Sequence, residues 1–203
     1  MIHPDLAIET SLWQKGYRFI VGIDEVGRGS WAGPLTAAGV ILPRDFLIPE
    51  GLADSKMLKP RQRVRLSGYI KKFATGYAIA EVPPKEIDMV GIAKATLIAF
   101  RQVIKKLKPS PDFCLIDAFH IKYYSAKRQM AVKNGDKICA SIAAASIIAK
   151  VHRDNLMRKL HFKYPNYGFA KHKGYGTKSH QSAIYRLGLC KIHRLSYNLS
   201  FLT

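Results

Sequence analysis

The chain has 203 residues, 48% of them hydrophobic, and carries 33 Lys and Arg against 14 Asp and Glu, a formal charge of +19. That length suits one domain with a real core. No run approaches the ~18 apolar residues that a bilayer span needs, and Met1 to Lys15 lacks the basic-then-apolar pattern of a secretory leader. So large a positive excess points to a polyanionic partner, most simply nucleic acid, but leaves the chemistry open. The basic character gathers at one end: from Asn155 to Thr203 there is no Asp or Glu, but there are nine Lys or Arg and four His. Cys114, Cys139 and Cys190 are widely and irregularly spaced. They read as reduced, small apolar residues of a cytoplasmic protein rather than as a disulfide or zinc framework.

In chain order, Tyr17 to Ile23, Leu35 to Leu42 and Phe73 to Val82 are rich in β-branched and aromatic residues and read as strands. Pro43 and Pro49 bound a loop that carries Leu52-Ala53-Asp54-Ser55-Lys56-Met57-Leu58. Pro60 to Lys72 reads as a basic amphipathic helix. After Pro83-Pro84 a single helix is predicted from about Lys85 to Leu107, ended by Lys108 to Pro111. Phe113 to Asp117 is a short buried strand, and Met130 to Lys133 an edge strand. From Ile138 to about Phe162 the pattern is helical, with Ile138, Ile142, Ala145, Ala149, His152, Leu156 and Leu160 on one face. Tyr164 to Gly176 is loop-like, and Thr177 to Leu187 is a last helix. Strands first, then strand–helix alternation, then a helical end predict an α/β domain with a helical C-terminal extension.

The most informative stretch is Gly22-Ile23-Asp24-Glu25-Val26-Gly27-Arg28-Gly29-Ser30. Two adjacent carboxylates stand where an apolar strand runs out. Neighbouring strand side chains point to opposite faces, so Asp24 and Glu25 reach one site only if the strand ends or bends there. Gly27 and Gly29 permit that bend. Buried carboxylates need a cation, and a hard divalent ion is the natural partner of such oxygens. Asp117, closing the run Cys114-Leu115-Ile116-Asp117, occupies the same kind of place, although a turn or helix cap would also account for it. Arg28 is open to two roles, phosphate contact or an ion pair with the acidic residues.

This segment resembles the signature of the type 2 ribonucleases H, with the bacterial ribonuclease HII branch most similar, and the likeness runs over roughly residues 18 to 188. Ser30 departs from it, since a proline commonly follows Gly-Arg-Gly in that family. The resemblance implies a ribonuclease H-like mixed sheet flanked by helices, in one catalytic domain over residues 1–203. Residues from about 160 to 203 would form its basic helical extension. It implies that Asp24, Glu25, Asp117 and a fourth acidic residue bind two divalent ions, Mg²⁺ or Mn²⁺. For that fourth place Asp136, in Gly135-Asp136-Lys137, is preferred to Asp154, which lies mid-helix four residues from Lys150 and beside Arg153, where an ion pair explains it. It also implies that Gly27, Arg28 and Gly29 read the ribose together with Tyr175, in Lys173-Gly174-Tyr175-Gly176-Thr177, and that Lys56 contacts phosphate. Lys171, His172, Lys173, Lys178 and His180 are expected to form a backbone-tracking patch. No catalytic part is given to His120 or His152.

The activity so implied is endonucleolytic cleavage of the RNA strand of RNA/DNA hybrids. It extends to cleavage 5′ to single ribonucleotides in duplex DNA, leaving 3′-hydroxyl and 5′-phosphate ends. Ribonuclease HIII shares the acidic pattern but usually carries an extra N-terminal domain, for which the sixteen or so residues before the first strand leave no room. A non-catalytic nucleic-acid-binding protein would explain the charge but not the strand-end carboxylates, which repel phosphate unless metals intervene. A monomer is expected, and Leu195 to Leu199 lacks a clear motif for docking to a replication clamp.

Overall fold

The computed structural model describes residues 3–53, 55, 58–122, 124–197 and 199. Five strands form one mixed sheet in the order β3-β2-β1-β4-β5. They are β1 (Ile20–Val26), β2 (Leu35–Ile41), β3 (Gly76–Val82), β4 (Phe113–Asp117) and β5 (Gln129–Val132). The first three make an antiparallel meander. β4 and β5 add in parallel, on the other side of β1. β1 up to Ile23, and β2 apart from Thr36, are apolar on both faces because helices cover both.

One face packs against α4 (Ile92–Lys106), through Val21, Ile23, Leu35 and Ala37 against Ala99, Phe100 and Val103. The other packs against α6 (Ala140–Lys163), which is backed in turn by α2 (Pro60–Phe73). The alanine run lets α6 lie close to the sheet. At Gly22 a Cβ would fall 2.2 Å from the main chain of Ser141, so only glycine accepts the approach. α1 (Ala7–Gln14) closes the bottom of the sheet, with Leu12 and Trp13 against Phe113 and Leu115.

Several expectations are corrected. α1 is not anticipated by the sequence reading. The helix expected over 85–107 is two helices, α3 (Pro84–Val90) and α4, broken at Gly91 with φ 78°. The helix expected from Ile138 is a short α5 (Gly135–Ile138) and then α6, parted at Cys139 in an extended conformation. The buried side of α6 is also turned from the one read by periodicity. Between Ala140 and Ala149 every residue is buried, and beyond it the inward positions are Arg153, Asp154 and Met157 rather than His152 and Leu156. The stretch expected as loop over 164–176 contains α7 (Phe169–His172), and α8 (Lys178–Leu187) follows, capped by Thr177. The three cysteines are free. Among the described residues no helix is long and apolar enough to cross a membrane.

Candidate active site

The acidic residues converge at one edge of the sheet. β1 and β4 run parallel with Ile23 opposite Ile116, so the next positions along, Asp24 and Asp117, are neighbours. The strand does not end at Ile23 as expected. It continues to Val26, so Asp24 and Glu25 alternate across the strand at its end, yet Glu25 stays close enough for its charge to raise the Asp24 pKa. Asp24, 6% exposed, faces α6, where the Ser146 hydroxyl reaches its carboxyl. Ser146 in turn meets Ser55 at 2.9 Å, tying the 52–58 loop to this edge. Glu25 turns to the other side, and Arg28 lies 3.7 Å from its Oε1 with the guanidinium 4.6 Å over the ring of Phe119. Of the two roles open for Arg28, the ion pair is the one observed.

Asp117 accepts a hydrogen bond from the Gly135 N–H at 2.8 Å, which draws the first turn of α5 to the end of β4. Asp136 is the next residue, 4% exposed. Asp154 lies elsewhere. It stands eight residues beyond Ser146 on α6, about 12 Å along the axis, and pairs with Lys150 at 2.8 Å and Arg63 at 3.8 Å.

Burial pushes the Asp24 carboxyl well above the usual carboxylate range, and the negative charges of Glu25 and Asp117 push it further. A cluster that resists its own ionisation in this way suits a bound cation. Its donors are all hard oxygens, of the kind Mg²⁺ and Mn²⁺ take. Among the described residues, no three metal-ligating side chains are already drawn together tightly enough to grip an ion. Asp24 accepts from the Glu25 N–H at 2.7 Å and Asp117 from the Gly135 N–H at 2.8 Å, so each carboxylate has an oxygen held by a main-chain donor.

Beside the carboxylates, two loops are stitched together. Gly27 has φ 93°, and Ser30 makes an antiparallel bridge to Tyr175. Trp31 and Ala32 donate their N–H groups to the Gly174 carbonyl at 2.8 and 3.2 Å. Two fully buried arginines lock the stitching. Arg153 donates to Pro34 O at 2.9 Å, Lys173 O at 3.0 Å and Ala32 O at 3.1 Å, and it fills the space a Cβ on Gly27 would need. Arg194 donates to Gly33 O at 3.0 Å, to Arg28 O at 2.8 Å and to the Tyr197 hydroxyl, which itself donates to Arg28 O. Tyr175 is half-buried, with the cations of Lys150 and Arg153 5.6 and 5.4 Å from its ring centre.

The sequence reading did not single out Arg153 or Arg194 as site residues, and no signal in the sequence marks them. The expected patch is also smaller than predicted. Lys171 and Lys178 are exposed, but His172 and His180 are buried, and Lys173 bonds to the Ala170 carbonyl. His152 pairs with Glu81. Lys56 lies outside the described residues.

A mixed sheet between helices, with carboxylates at the ends of adjoining central strands, is the ribonuclease H-like architecture. The family model described as Ribonuclease HII matches residues 21–200, and the chain belongs to that family. A relative named Ribonuclease HII from Chloroherpeton thalassium is 49% identical over 201 residues, covering 98% of each chain. Among solved structures, the ribonuclease H2 from Pyrococcus horikoshii superposes with a TM-score of 0.73 at 26% identity, over 89% of this chain and 94% of that one. A Bst-RNase HIII solved in complex with Mn²⁺ shares the fold, with a TM-score of 0.70 at 18% identity, over 91% of this chain and 68% of that one.

Proposed function

We propose that this chain is an endoribonuclease that cuts the RNA strand of RNA/DNA hybrids and cuts 5′ to single ribonucleotides embedded in duplex DNA. The products are 3′-hydroxyl and 5′-phosphate ends, and the role is ribonucleotide removal during DNA replication and repair. The observation that carries the reading is the juxtaposition of buried, mutually repelling carboxylates at the β1/β4 edge with the glycine turn bonded to the Tyr175 loop. Phosphodiester hydrolysis needs the first, and discrimination of ribose needs the second.

Asp24, Glu25, Asp117 and Asp136 would hold two divalent ions, Mg²⁺ or Mn²⁺, whose contribution is to activate a water and to neutralise charge gathering on the phosphate. Asp136 is favoured over Asp154 because the Gly135–Asp117 hydrogen bond joins its turn to the cluster, whereas Asp154 is engaged by two cations. Ser146, tethered by Ser55, holds the Asp24 carboxyl in one orientation. The main chain of Gly27, Arg28 and Gly29 approaches the 2′-hydroxyl, a group that both donates and accepts. The Tyr175 phenol contacts the same hydroxyl while its ring packs on the neighbouring sugar. Lys56 and the exposed lysines grip phosphates without regard to sequence. The protein acts as a monomer, as one catalytic domain with its basic C-terminal extension, in the cytoplasm. No replication-clamp motif is evident in it.

The non-catalytic reading is disfavoured by the carboxylates, which weaken binding to phosphate unless ions cover them. The deciding experiment offers a duplex with one ribonucleotide, beside an all-DNA control, in Mg²⁺, in Mn²⁺ and in chelator. A single metal-dependent cut 5′ to the ribonucleotide is the expected result. Binding without cleavage in either metal would overturn the proposal.

A further inference from the structure

Behind Tyr175 lies a set of buried rings that the reaction does not use. His172 and His180 stack with centres 4.3 Å apart, and the Nε2 atoms of His180 and His193 lie 3.0 Å apart. Phe169 and Trp31 pack around His180.

The hydrogen bonds assign the protons. His193 Nδ1 lies 2.8 Å from the Cys190 nitrogen and 3.2 Å from the Cys190 carbonyl; the shorter contact is to an N–H, which can only donate, so Nδ1 accepts and the ring proton sits on Nε2 and is donated to His180 Nε2. His180 then carries its own proton on Nδ1 and donates it to the Tyr175 carbonyl at 3.0 Å. His172 is set in the same way: Nδ1 accepts from the Gly174 N–H at 3.1 Å and Nε2 donates to Tyr167 O at 2.7 Å. The chain from Cys190 through His193 and His180 therefore has one direction, and it ends on the main chain of Tyr175. An added proton would set two N–H groups face to face across the 3.0 Å gap. Burial holds all three imidazoles below their ordinary pKa, His180 at about 4, so the rings stay neutral.

Packing alone does not call for this arrangement. Buried polar rings are costly unless each nitrogen is satisfied, and apolar rings would fill the space without that demand. The neighbouring residue, Arg194, grips Arg28 and Gly33. Residues 193 and 194 thus hold both walls of the gap between the glycine turn and Tyr175.

We propose that His193 and His180 are positioning residues for ribose recognition, fixing the main chain of Tyr175, and with it the phenol, against the Gly27–Gly29 turn. This rests on the reading of Tyr175 as the ribose contact. Neither histidine touches the substrate.

The test is a double-mutant cycle of His193→Ala with Tyr175→Ala, measuring kcat/KM on a duplex containing one ribonucleotide, at a temperature where every variant is folded. Loss of one buried hydrogen bond to the loop corresponds to a roughly tenfold fall for His193→Ala alone. In the Tyr175→Ala background the further fall is less than about threefold, because the group being positioned is gone. His193→Gln, whose amide N–H can donate where Nε2–H does, regains most of the rate. Should the alanine variant not fold, His193→Leu takes its place against His193→Gln. Full additivity in the cycle, failure of glutamine to exceed leucine or alanine, or a wild-type rate for His193→Ala overturns the inference. If those results accompany a large loss in Tyr175→Ala, the ribose reading stands. A wild-type rate for Tyr175→Ala itself overturns both.

Discussion

Arg153→Met tests whether the two loops over the site are held from within. The side chain is fully buried and has three carbonyl partners, at 2.9, 3.0 and 3.1 Å. Each buried acceptor left without a donor costs about 1–3 kcal/mol, so together about 3–9 kcal/mol is lost. Against this, burial pushes the guanidinium down to about 10 from its ordinary 12.5. At about 1.4 kcal/mol per pH unit, keeping it charged costs the fold about 3 kcal/mol, which methionine returns. The net lies between about 0 and 6 kcal/mol, with a mid-range destabilisation of about 3 kcal/mol that lowers the melting temperature by roughly 6–12 °C for a chain of this size. Calorimetry measures the first effect, and cleavage at 20 °C, where the variant is still folded, measures the second. Cleavage should also fall, because Ala32 and Pro34 lie on one loop and Lys173 on the other, and the Arg153 guanidinium joins them. Arg153→Lys should recover only part of either property, since one ammonium cannot reproduce a planar fork across three carbonyls. A methionine variant that melts within 1 °C of the wild type and cleaves at the wild-type rate would refute the reasoning.

Asp117→Asn should abolish cleavage, by at least about a thousandfold in kcat as for loss of a principal charge-stabilising group, while hybrid binding stays equal or tightens; a normal cleavage rate removes Asp117 from the site. Without divalent ions Asp24→Asn should melt at or above the wild type, because the cost of burying a charge there, and its repulsion by Glu25 and Asp117, are relieved. Saturating Mn²⁺ should then raise the wild-type transition by a few degrees to ten, corresponding to about 2.7 kcal/mol at a hundredfold excess over Kd, and leave Asp24→Asn almost unmoved; equal shifts in both proteins would contradict the ligand assignment. The histidines predict a pH effect of definite sign. His172, His180 and His193 are held below 6.5, so between pH 6.5 and about 4 the unfolded chain binds protons that the folded chain does not. Stability therefore falls with falling pH across that window, by at most about 1.4 kcal/mol per unit for each ring. Asp24 acts in the opposite sense, so urea titrations from pH 7.5 to 5 belong in the Asp24→Asn variant, where a midpoint that stays level or rises would contradict the buried neutral histidines.

Strand β4 was legible to the residue, because an apolar run closed by one aspartate has few other readings. The acidic cluster was legible for a related reason: charges where apolar strands stop are conspicuous. Helix α1 was not, since eight residues carry too little periodicity and it is held by contacts to residues more than a hundred positions away, such as Glu9 accepting from the Ser141 N–H. The break at Gly91 was hidden by apolar residues that keep helical spacing on both sides of it. The run of β1 past Ile23 to Val26 was missed through the assumption that a glycine turn must bend the strand before it. The two buried arginines were the deepest gap. A guanidinium that grips carbonyls inside the fold has the same letter as one in water, and in a chain with 33 Lys and Arg nothing marks it out. Arg153 stood beside Asp154 in sequence and was read as its partner, whereas the helix sends them to different neighbours.

The hydrogen bond from Arg194 to the Arg28 carbonyl spans 166 positions. On the ribosome, the carboxylates from Asp24 to Asp136 emerge long before the residues that set the glycine turn. At about 5–20 residues per second, a growing chain holds its acid groups for some seconds without the Arg194 contacts that fix the glycine turn. On the proposed reading of the glycine turn, its shape is completed only once the segment around His193 and Arg194 has folded back onto the oldest part of the chain. A prematurely stopped polypeptide lacks the Arg194 contacts to Arg28 and Gly33, whatever the state of its acidic residues.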